Sequence, residues 1–443
     1  MYPTEERSVA IIGAGLAGLT AASVLRRHGV PVLLYEAGKQ IAGLATSFHD
    51  KDGWSYDFGA HFITNRLAAA IGVGAQCQTV RHYGETVLLD GRTYNYPFGL
   101  LRIPRFSLSG LTSRAKAMKN GATPQSAAEW FRAKYGAALA DEVALPLVEA
   151  WSGAPANELA PSVGDSIPGS IAHTLMLKLA SRLSRRAVAC GYSREMPETA
   201  NVWHVYPEGG VGLLCHHLAA DLEDVIQLES RVEQILVDAG RAKAVRVNGR
   251  EQQVSAVIST APCHILAKMV KGTDASQPLA RFRYRPMVFV NMRFEGRQLL
   301  PDTVTWTPEK QFAFFRLTET TRSMPCLAPP GKTLITVDIG CEVGDRVWNM
   351  SDERLGELCL DHLDSIIPRA PQLYLGCHVL RTPIAYPVFL NEYEEVRQRF
   401  EHSTGVEGLY SIGRNGEFAH IFMEDVYWRT LKKMRHLLTA LGR

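Results

Sequence analysis

The chain has 443 residues, of which 46% are hydrophobic and 21% charged, and a formal net charge of +3. One hydrophobic core rarely supports this length, so we expect two domains, and the small net charge argues against a nucleic-acid partner. No run of about 18 apolar residues is present to span a bilayer. The eight cysteines are scattered without a C-x-x-C pair, which is typical of reduced thiols in a cytoplasmic protein and not of a metal site or a disulfide framework.

A strand, a glycine-rich turn, a helix and a second strand follow one another between residues 8 and 36. Gly13 permits the tight turn, Gly15 lets the backbone approach a pyrophosphate, and Gly18 lets the helix pack against the strand. The helix N-terminus attracts phosphates, and Glu36 is spaced to accept ribose hydroxyls. A turn without a ligand is the alternative. The pattern predicts a dinucleotide site that comprises Gly13, Ala14, Gly15, Leu16, Ala17, Gly18, Glu36 and Ala37.

Two motifs after Glu36 carry a family resemblance, Ala42-Gly43-Leu44-Ala45 and Phe58-Gly59-Ala60-His61-Phe62. With them the chain resembles the flavoprotein superfamily of amine oxidases, protoporphyrinogen oxidases, carotenoid desaturases and UDP-galactopyranose mutases. Ala42 replaces that family's first glycine, and Leu44 stands where amine oxidases usually have arginine, whereas the second motif is similar to that of the mutases. The resemblance implies FAD as the cofactor and a catalytic position for His61, with a hydrogen-bonded core histidine as the alternative. The implied FAD contacts are Gly43, Leu44, Ala45, Gly59, Ala60 and His61.

Residues 67 to about 200 depart from this pattern. Asp90-Gly91 predicts a hairpin turn, and the helical stretches that follow resemble loosely the substrate-capping insertion of protoporphyrinogen oxidases. In the predicted helix from His173 to Arg186, three leucines share one face while the basic residues lie elsewhere. A solvated face is favoured there, with a membrane-surface or phosphate contact as the alternative.

The nucleotide-binding pattern resumes near Val202 and gives way to a second excursion from Arg281 to about Arg399. In the family, the residue that matches Val232 holds the adenine through its backbone. Arg316 matches an arginine that reaches the substrate diphosphate in the mutases, so the resemblance makes it a catalytic and substrate-binding candidate.

Strand alternation predicts Phe314, Arg316 and Thr318 on one inward face. A buried arginine needs a partner, which an anionic substrate or Glu319 could provide; an internal salt bridge is therefore the alternative role. Tyr386 is a candidate substrate-binding pocket wall and equally a core tyrosine.

The last segment contains Gly413-Arg414 after a predicted strand, followed by Met423-Glu424-Asp425-Val426 at the start of the final helix. The amine oxidases and desaturases have Gly-Asp here, and the mutases have Gly-Arg. The Arg414 guanidinium can pair with the FAD pyrophosphate, and the helix amides can face the flavin. The cofactor contacts implied in this segment are Gly413, Arg414, Glu424, Asp425 and Val426.

The expected architecture is α/β, with a Rossmann-like FAD-binding domain of the glutathione-reductase type and an inserted α+β substrate domain. The FAD-binding domain is assigned to residues 1–75, 201–270 and 400–443, and the substrate domain to 76–200 and 271–399. The leading function is an amine oxidase-like or protoporphyrinogen oxidase-like oxidation or desaturation, in which an organic substrate transfers a hydride to flavin N5. The alternatives are a redox-neutral mutase that acts on a nucleotide sugar through reduced FAD, and a flavin-binding protein without catalysis. No metal site is predicted; substrate, electron acceptor and oligomeric state stay open.

Overall fold

The computed structural model describes residues 8–59, 61–120, 123–166 and 171–442. The strands in chain order are β1 Val9–Ile12, β2 Val32–Tyr35, β3 Ser47–His49, β4 Ser55–Asp57, β5 Ile63–Thr64, β6 Cys77–Thr79, β7 Glu85–Leu89, β8 Arg92–Asn95, β9 His204–Pro207, β10 Ile226–Gln227, β11 Val232–Asp238, β12 Arg241–Val247, β13 Arg250–Gln253, β14 Ala256–Ser259, β15 Val270–Lys271, β16 Tyr284–Glu295, β17 Val304–Trp306, β18 Arg316–Glu319, β19 Lys332–Gly340, β20 Tyr374–Pro387 and β21 Leu409–Ser411.

The helices are distributed along the whole chain. In chain order they are α1 Leu16–Arg27, α2 Asn65–Ile71, α3 Pro104–Asn120, α4 Ala127–Tyr135, α5 Ala137–Leu139, α6 Leu145–Ser152, α7 Ile171–Ser184, α8 Gly212–Ala219, α9 Cys263–Met269, α10 Thr320–Ser323, α11 Asp352–Leu363, α12 Ala370–Leu373, α13 Glu394–His402, α14 Gly413–Gly416 and α15 Met423–Ala440. A π-helical stretch, Ala140–Ala144, joins α5 to α6. Within the described ranges, we find no helix with the length and apolarity needed to cross a membrane.

A five-stranded parallel sheet lies at the centre of the dinucleotide-binding pattern, in the order β10-β2-β1-β14-β21. Its strands β1 and β14 are buried along their whole length, as expected for strands covered on both faces. The helices α1, α8 and α15 pack on one face, and β11 and β12 pack on the other. The carboxyl ends of the parallel strands therefore lead into the glycine turn, Glu36 and the Gly413 segment, the edge at which such sheets bind ligands.

A seven-stranded sheet is the second large sheet of the protein, with the strand order β20-β16-β19-β18-β17-β7-β8. All its neighbouring pairs are antiparallel except β17 with β7. Helix α11 covers one face, and the other face packs around Trp54 and Tyr56 from the β3–β4 region. This mixture of parallel and antiparallel sheets with helices confirms the predicted α/β fold class.

The predicted hairpin is confirmed at β7 and β8, which pair in antiparallel fashion. Asp90 and Gly91 have φ values of 52° and 68°, as a tight hairpin turn requires. The strands of the parallel sheet come from residues 9–35, 226–259 and 409–411, and those of the seven-stranded sheet from 85–95 and 284–387. The domain boundaries stay a prediction.

Candidate functional site

The glycine turn after β1 leaves open space at one glycine only. A Cβ on Gly13 would lie 2.2 Å from the Thr260 hydroxyl, and one on Gly18 would lie 1.9 Å from the Gly13 carbonyl oxygen. A Cβ on Gly15 would meet nothing closer than 3.9 Å. Packing within the protein therefore requires Gly13 and Gly18, whereas the room above Gly15 suits the close approach of a ligand. Helix α1 begins directly after Gly15 without a side-chain cap, so its first amides face the same space.

Glu36 braces this turn with both carboxylate oxygens. They accept hydrogen bonds from the amides of Ala14 at 2.8 Å and Gly38 at 2.7 Å. Ala42 donates its amide to the Ala14 carbonyl at 2.8 Å, with φ at 80° in the left-handed region. That conformation destabilises an L-residue by about 1–2 kcal/mol. This cost gives a physical reason for the glycine that the similar flavoproteins have at the matching position.

The other predicted contacts of the dinucleotide end lie around this turn. Gly43, Leu44 and Ala45 form a short 3-10 helix, and Ala37 is exposed just after β2. Val232 opens β11, is 6% exposed and packs with Tyr35. Ala60 lies outside the described residues.

Arg316 forms an ion pair with Asp338 on the neighbouring strand β19. Asp338 is fully buried and the Arg316 side chain is 19% exposed. Burial opposes both charges; it raises the pKa of Asp338, which Arg316 counteracts, whereas the attraction of Asp338 leaves the pKa of Arg316 above its usual value. The prediction that Glu319 could serve as this partner is wrong, because Glu319 accepts instead from the Leu300 amide and the Thr333 hydroxyl.

The predicted face of this strand is also corrected in part. Strand β18 begins at Arg316, so Phe314 lies outside it. The Phe314 ring packs with Leu317 in the core beneath α11. Arg316 and Thr318 share a face by strand alternation, and the guanidinium carbon lies 5.5 Å from the centre of the Trp306 ring on β17.

Arg414 and Tyr386 come together beside this ion pair. The Arg414 guanidinium carbon lies 4.6 Å from the centre of the Tyr386 ring, in the geometry of a cation–π contact. The rings of Tyr386 and Trp151 both contact His420, and Trp151 stacks on it at 5.0 Å. Burial lowers the pKa of Arg414, and the nearby Arg316 charge lowers it further. Among the described residues, no carboxylate forms an ion pair with Arg414.

Two uncharged histidines complete this group. Burial, followed by the charges of Arg414 and Arg316, lowers the pKa of His61 to about 4, and burial with Arg414, Arg194 and Arg316 lowers that of His420 to about 3. The Nδ1 atoms of both rings are buried without a hydrogen-bond partner. Both imidazoles are therefore neutral near pH 7, each with one nitrogen free for a ligand.

A carboxylate and aromatic side chains form the wall next to Arg316. Glu85 accepts hydrogen bonds from the Tyr83 hydroxyl and from Trp306 Nε1, each at 2.8 Å. Burial, then the charge of Glu85, raises the pKa of Tyr83 and of Tyr192, so both phenols keep their protons. Tyr192 also stacks on Phe422 at 4.8 Å.

The N-terminus of α15 differs from the prediction at one residue. Its N-cap Phe422 supplies no side-chain cap, but the Val426 amide already donates to the Phe422 carbonyl at 3.0 Å, which removes Val426 from the set of free amides. The Glu424 carboxylate accepts from Thr64 and Arg66. The Asp425 carboxylate accepts from the hydroxyl of Ser193 and the amides that follow it. The carboxylates of Glu424 and Asp425 are thus engaged within the protein, so these two residues can offer a ligand only their backbone amides.

The chain matches a known protein family over most of its length. The family model described as flavin containing amine oxidoreductase matches residues 16–427. The chain belongs to the flavin-containing amine oxidoreductase family. This is a family of FAD-dependent oxidoreductases, and FAD is the cofactor of the chain.

Individual relatives are distant from this chain. A crystal structure of reduced UDP-galactopyranose mutase is similar with a TM-score of 0.81 and 19% identity, covering 99% of this chain and 95% of that one. The 15-cis-phytoene desaturase of Glycine max is 23% identical over 321 residues, which are 67% of this chain and 55% of that protein. An L-amino-acid oxidase of Siganus canaliculatus is 34% identical over 101 residues, 21% of this chain. The first curated relatives are matched over only 9 to 18% of their own length.

The residues at both ends of this site are suited to bind FAD. The space above Gly15 and the uncapped start of α1 suit the pyrophosphate. At the other end, the buried free Nδ1 atoms of His61 and His420 and the Nε of Arg414 lack protein partners, and buried polar groups normally have them. Gly59 lies close to the seven-stranded sheet, because a Cβ there would lie 3.1 Å from Phe289 and 3.7 Å from the Arg316 guanidinium.

Several residues of this site were missed from the sequence. Asp338 had a signal in the sequence, since it is the one acid in a strand made mainly of apolar residues and threonines. His420 lies in the Gly413-Arg414 motif but had no assigned role. Trp151, at the end of α6, and Glu85 had no local signal; they are part of the site because distant segments meet there.

Proposed function

We propose that this chain oxidises an organic substrate of low charge by hydride transfer to FAD. The observation that carries the proposal is the ion pair of Arg316 with the buried Asp338. A diphosphate-bearing substrate would need a free cation at this position, and Asp338 neutralises it. Glu85, bonded to Trp306 on the adjoining strand, adds a negative charge to the same wall, which further disfavours a polyanion.

The cofactor end and the substrate end of the site are assigned to different residues. We propose that residues 13–18, Glu36 and the backbone of Val232 hold the adenosine and pyrophosphate part of FAD. Residues 43–45, Gly59 and His61 would hold the remainder, together with the first amides of α15. Arg414 was assigned to the pyrophosphate from the sequence, but it lies beside Tyr386 and Arg316, so we propose that it contacts the flavin part instead. When bound, FAD supplies the acceptor for two electrons.

The protein side chains orient the substrate and exclude water. The half-buried rings of Trp306, Tyr386 and Tyr192 provide apolar surface for the substrate. The Arg316–Asp338 ion pair lies between these rings and closes the inner end of the substrate space. His61 is uncharged near neutral pH because of its lowered pKa, so its free Nδ1 can accept a hydrogen bond or hold a proton. A substrate whose reacting carbon carries a lone-pair donor needs no stronger base.

The first experiment measures how fast oxygen reoxidises the reduced flavin and which compounds reduce the oxidised flavin. The purified holoprotein is reduced anaerobically and mixed with air-saturated buffer, and the return of the yellow absorbance is followed by stopped flow. In a second step, the oxidised holoprotein is mixed anaerobically with panels of amines, compounds with partly reduced rings, and polyenes. Bleaching by any of these supports the proposal. Isomerisation of a nucleotide sugar by the reduced protein, without bleaching by any of these compounds, would overturn it in favour of the mutase.

Arg316→Ala separates binding of FAD from turnover. We expect the variant to retain FAD and to lose substrate-dependent bleaching, because the Arg316–Asp338 ion pair that closes the inner end of the substrate space is lost. Arg354→Ala, on the exposed face of α11, is the matched control. If Arg316→Ala keeps full activity, Arg316 has no role at the reaction centre.

Two further assignments are proposals of the same kind. The unpaired cysteines support a cytoplasmic location. The strand composition of the two large sheets supports the domain boundaries given above.

A further inference from the structure

Helix α7 presents a row of large apolar side chains to solvent. Its buried anchor is Leu177, which is 1% exposed. Since each helical residue advances by about 100°, positions 175, 176, 179 and 183 fall on one side, roughly opposite Leu177. We call this side the apolar ridge. Its residues and exposed fractions are Leu175 50%, Met176 53%, Leu179 58% and Leu183 79%.

A second exposed apolar group lies just before α3 and in its first half. It consists of Leu101, Leu108 and Leu111, which are 42%, 63% and 65% exposed. Lys178 of α7 donates to the Tyr96 carbonyl at 3.2 Å, which ties the ridge helix to the chain just before this second group. Together with Tyr96, these two groups contain eight of the thirteen large hydrophobic side chains exposed in the described part of the chain. Concentration of this kind marks a contact surface, whereas single exposed hydrophobic residues are ordinary.

The two chain segments that carry these groups contain basic residues and no acidic ones. Residues 91–128 and 166–194 contain eleven of the 48 lysines and arginines and none of the 45 acidic residues. The rest of the chain therefore has 37 basic residues against 45 acidic ones. Lys178 and Arg182 are exposed on one flank of the ridge, and Arg185 and Arg186 follow directly at its end. An apolar row bordered by cations, with no acid nearby in sequence, is complementary to an anionic lipid surface.

We propose that α7 docks this protein on the surface of an anionic lipid bilayer, with the apolar ridge in the acyl boundary and the basic residues among the headgroups. The exposure of the ridge favours this over the solvated face that the sequence suggested. Two copies joined through the ridge would bring two acid-free basic segments together, which like charges oppose. A nucleic acid would neutralise the cations but leave the leucines in water.

The test is co-sedimentation of the FAD-loaded protein with vesicles. One set is phosphatidylcholine alone, and the other contains about one third phosphatidylglycerol, a composition that gives a negative surface potential. We expect binding to the anionic vesicles at least tenfold tighter than to the neutral ones, and weakened by salt. Absence of binding to anionic vesicles would overturn the proposal.

Two double variants separate the apolar and the charged contributions. Leu179→Glu with Leu183→Glu should reduce binding to anionic vesicles at least tenfold. Arg182→Glu with Arg185→Glu should remove the preference for anionic over neutral vesicles. The control Val343→Glu changes a side chain that is 59% exposed elsewhere and should bind like wild type. All these positions are solvent-exposed, and FAD content and circular dichroism verify folding.

Other occupants of the ridge give different results. A concentration-dependent dimer in sedimentation velocity that Leu179→Glu with Leu183→Glu abolishes, without vesicle binding by wild type, would assign the ridge to a second copy. Tight binding of single-stranded RNA that the leucine variant retains would assign the basic segments to nucleic acid. Either result overturns the lipid assignment.

Discussion

Asp338→Asn tests the charge balance on which the proposed function depends. Asp338 is fully buried, and its partner Arg316 is 19% exposed. Removal of one partner of a buried pair costs about 3–5 kcal/mol because the other charge is left uncompensated. Since Asn keeps the shape and some solvent reaches Arg316, we expect the lower end, about 3 kcal/mol. The loss is measured as the change in urea unfolding at saturating FAD.

Two controls locate the effect in the pair. Asp361→Asn, on an exposed position of α11, should change stability by less than about 0.5 kcal/mol. Arg316→Met combined with Asp338→Asn removes both charges and should be more stable than Asp338→Asn alone, because no unpaired charge remains. A loss below about 1 kcal/mol in Asp338→Asn would refute the buried-pair reasoning.

The same variant tests the substrate argument. Without Asp338, the Arg316 cation is free, so millimolar pyrophosphate should stabilise the variant by mass action and leave the wild type unchanged. Equal stabilisation of the FAD-loaded wild type would mean that Arg316 already binds anions in the presence of Asp338. The case against a diphosphate-bearing substrate would then fail.

Three other predictions concern cofactor binding and stability. Gly15→Val should fold, because no protein atom lies close to its Cβ, and should lose FAD; normal flavin content with native circular dichroism would exclude this turn from the site. Ala42→Gly should stabilise the protein by about 1 kcal/mol, since it relieves the left-handed strain less the entropy cost of glycine, and a loss in urea unfolding would contradict this. Burial lowers the pKa of His204 from 6.5 to about 4, so His204 should contribute about 3 kcal/mol to the loss of stability as the pH drops from 6.5 to 4. Wild type should therefore lose about that much more stability than His204→Gln over this range, and equal losses in the two proteins would assign the change to other groups.

The dinucleotide end could be predicted because its chemistry is local. A strand, a glycine turn and a helix are consecutive in sequence, and each glycine is required by the conformation or packing of the backbone within a few residues of it. Glu36 follows at a fixed distance because the helix between it and the turn has a fixed length. The hairpin at Asp90-Gly91 was predictable for the same reason.

The substrate end was decided by tertiary structure. Arg316 was recognised as a buried cation, but its partner depends on the register between β18 and β19, which sets Asp338 opposite Arg316 and leaves Glu319 three residues away. Trp151, Glu85 and His420 come from segments far apart in the chain, and no local periodicity relates them. The exposure of the apolar ridge is likewise a tertiary property, since helical spacing shows only that the leucines share a face and the packing of Leu177 decides which face is buried. The sequence by itself determined the cofactor and its turn, and the packing of distant strands determined the charge and shape of the space beside it.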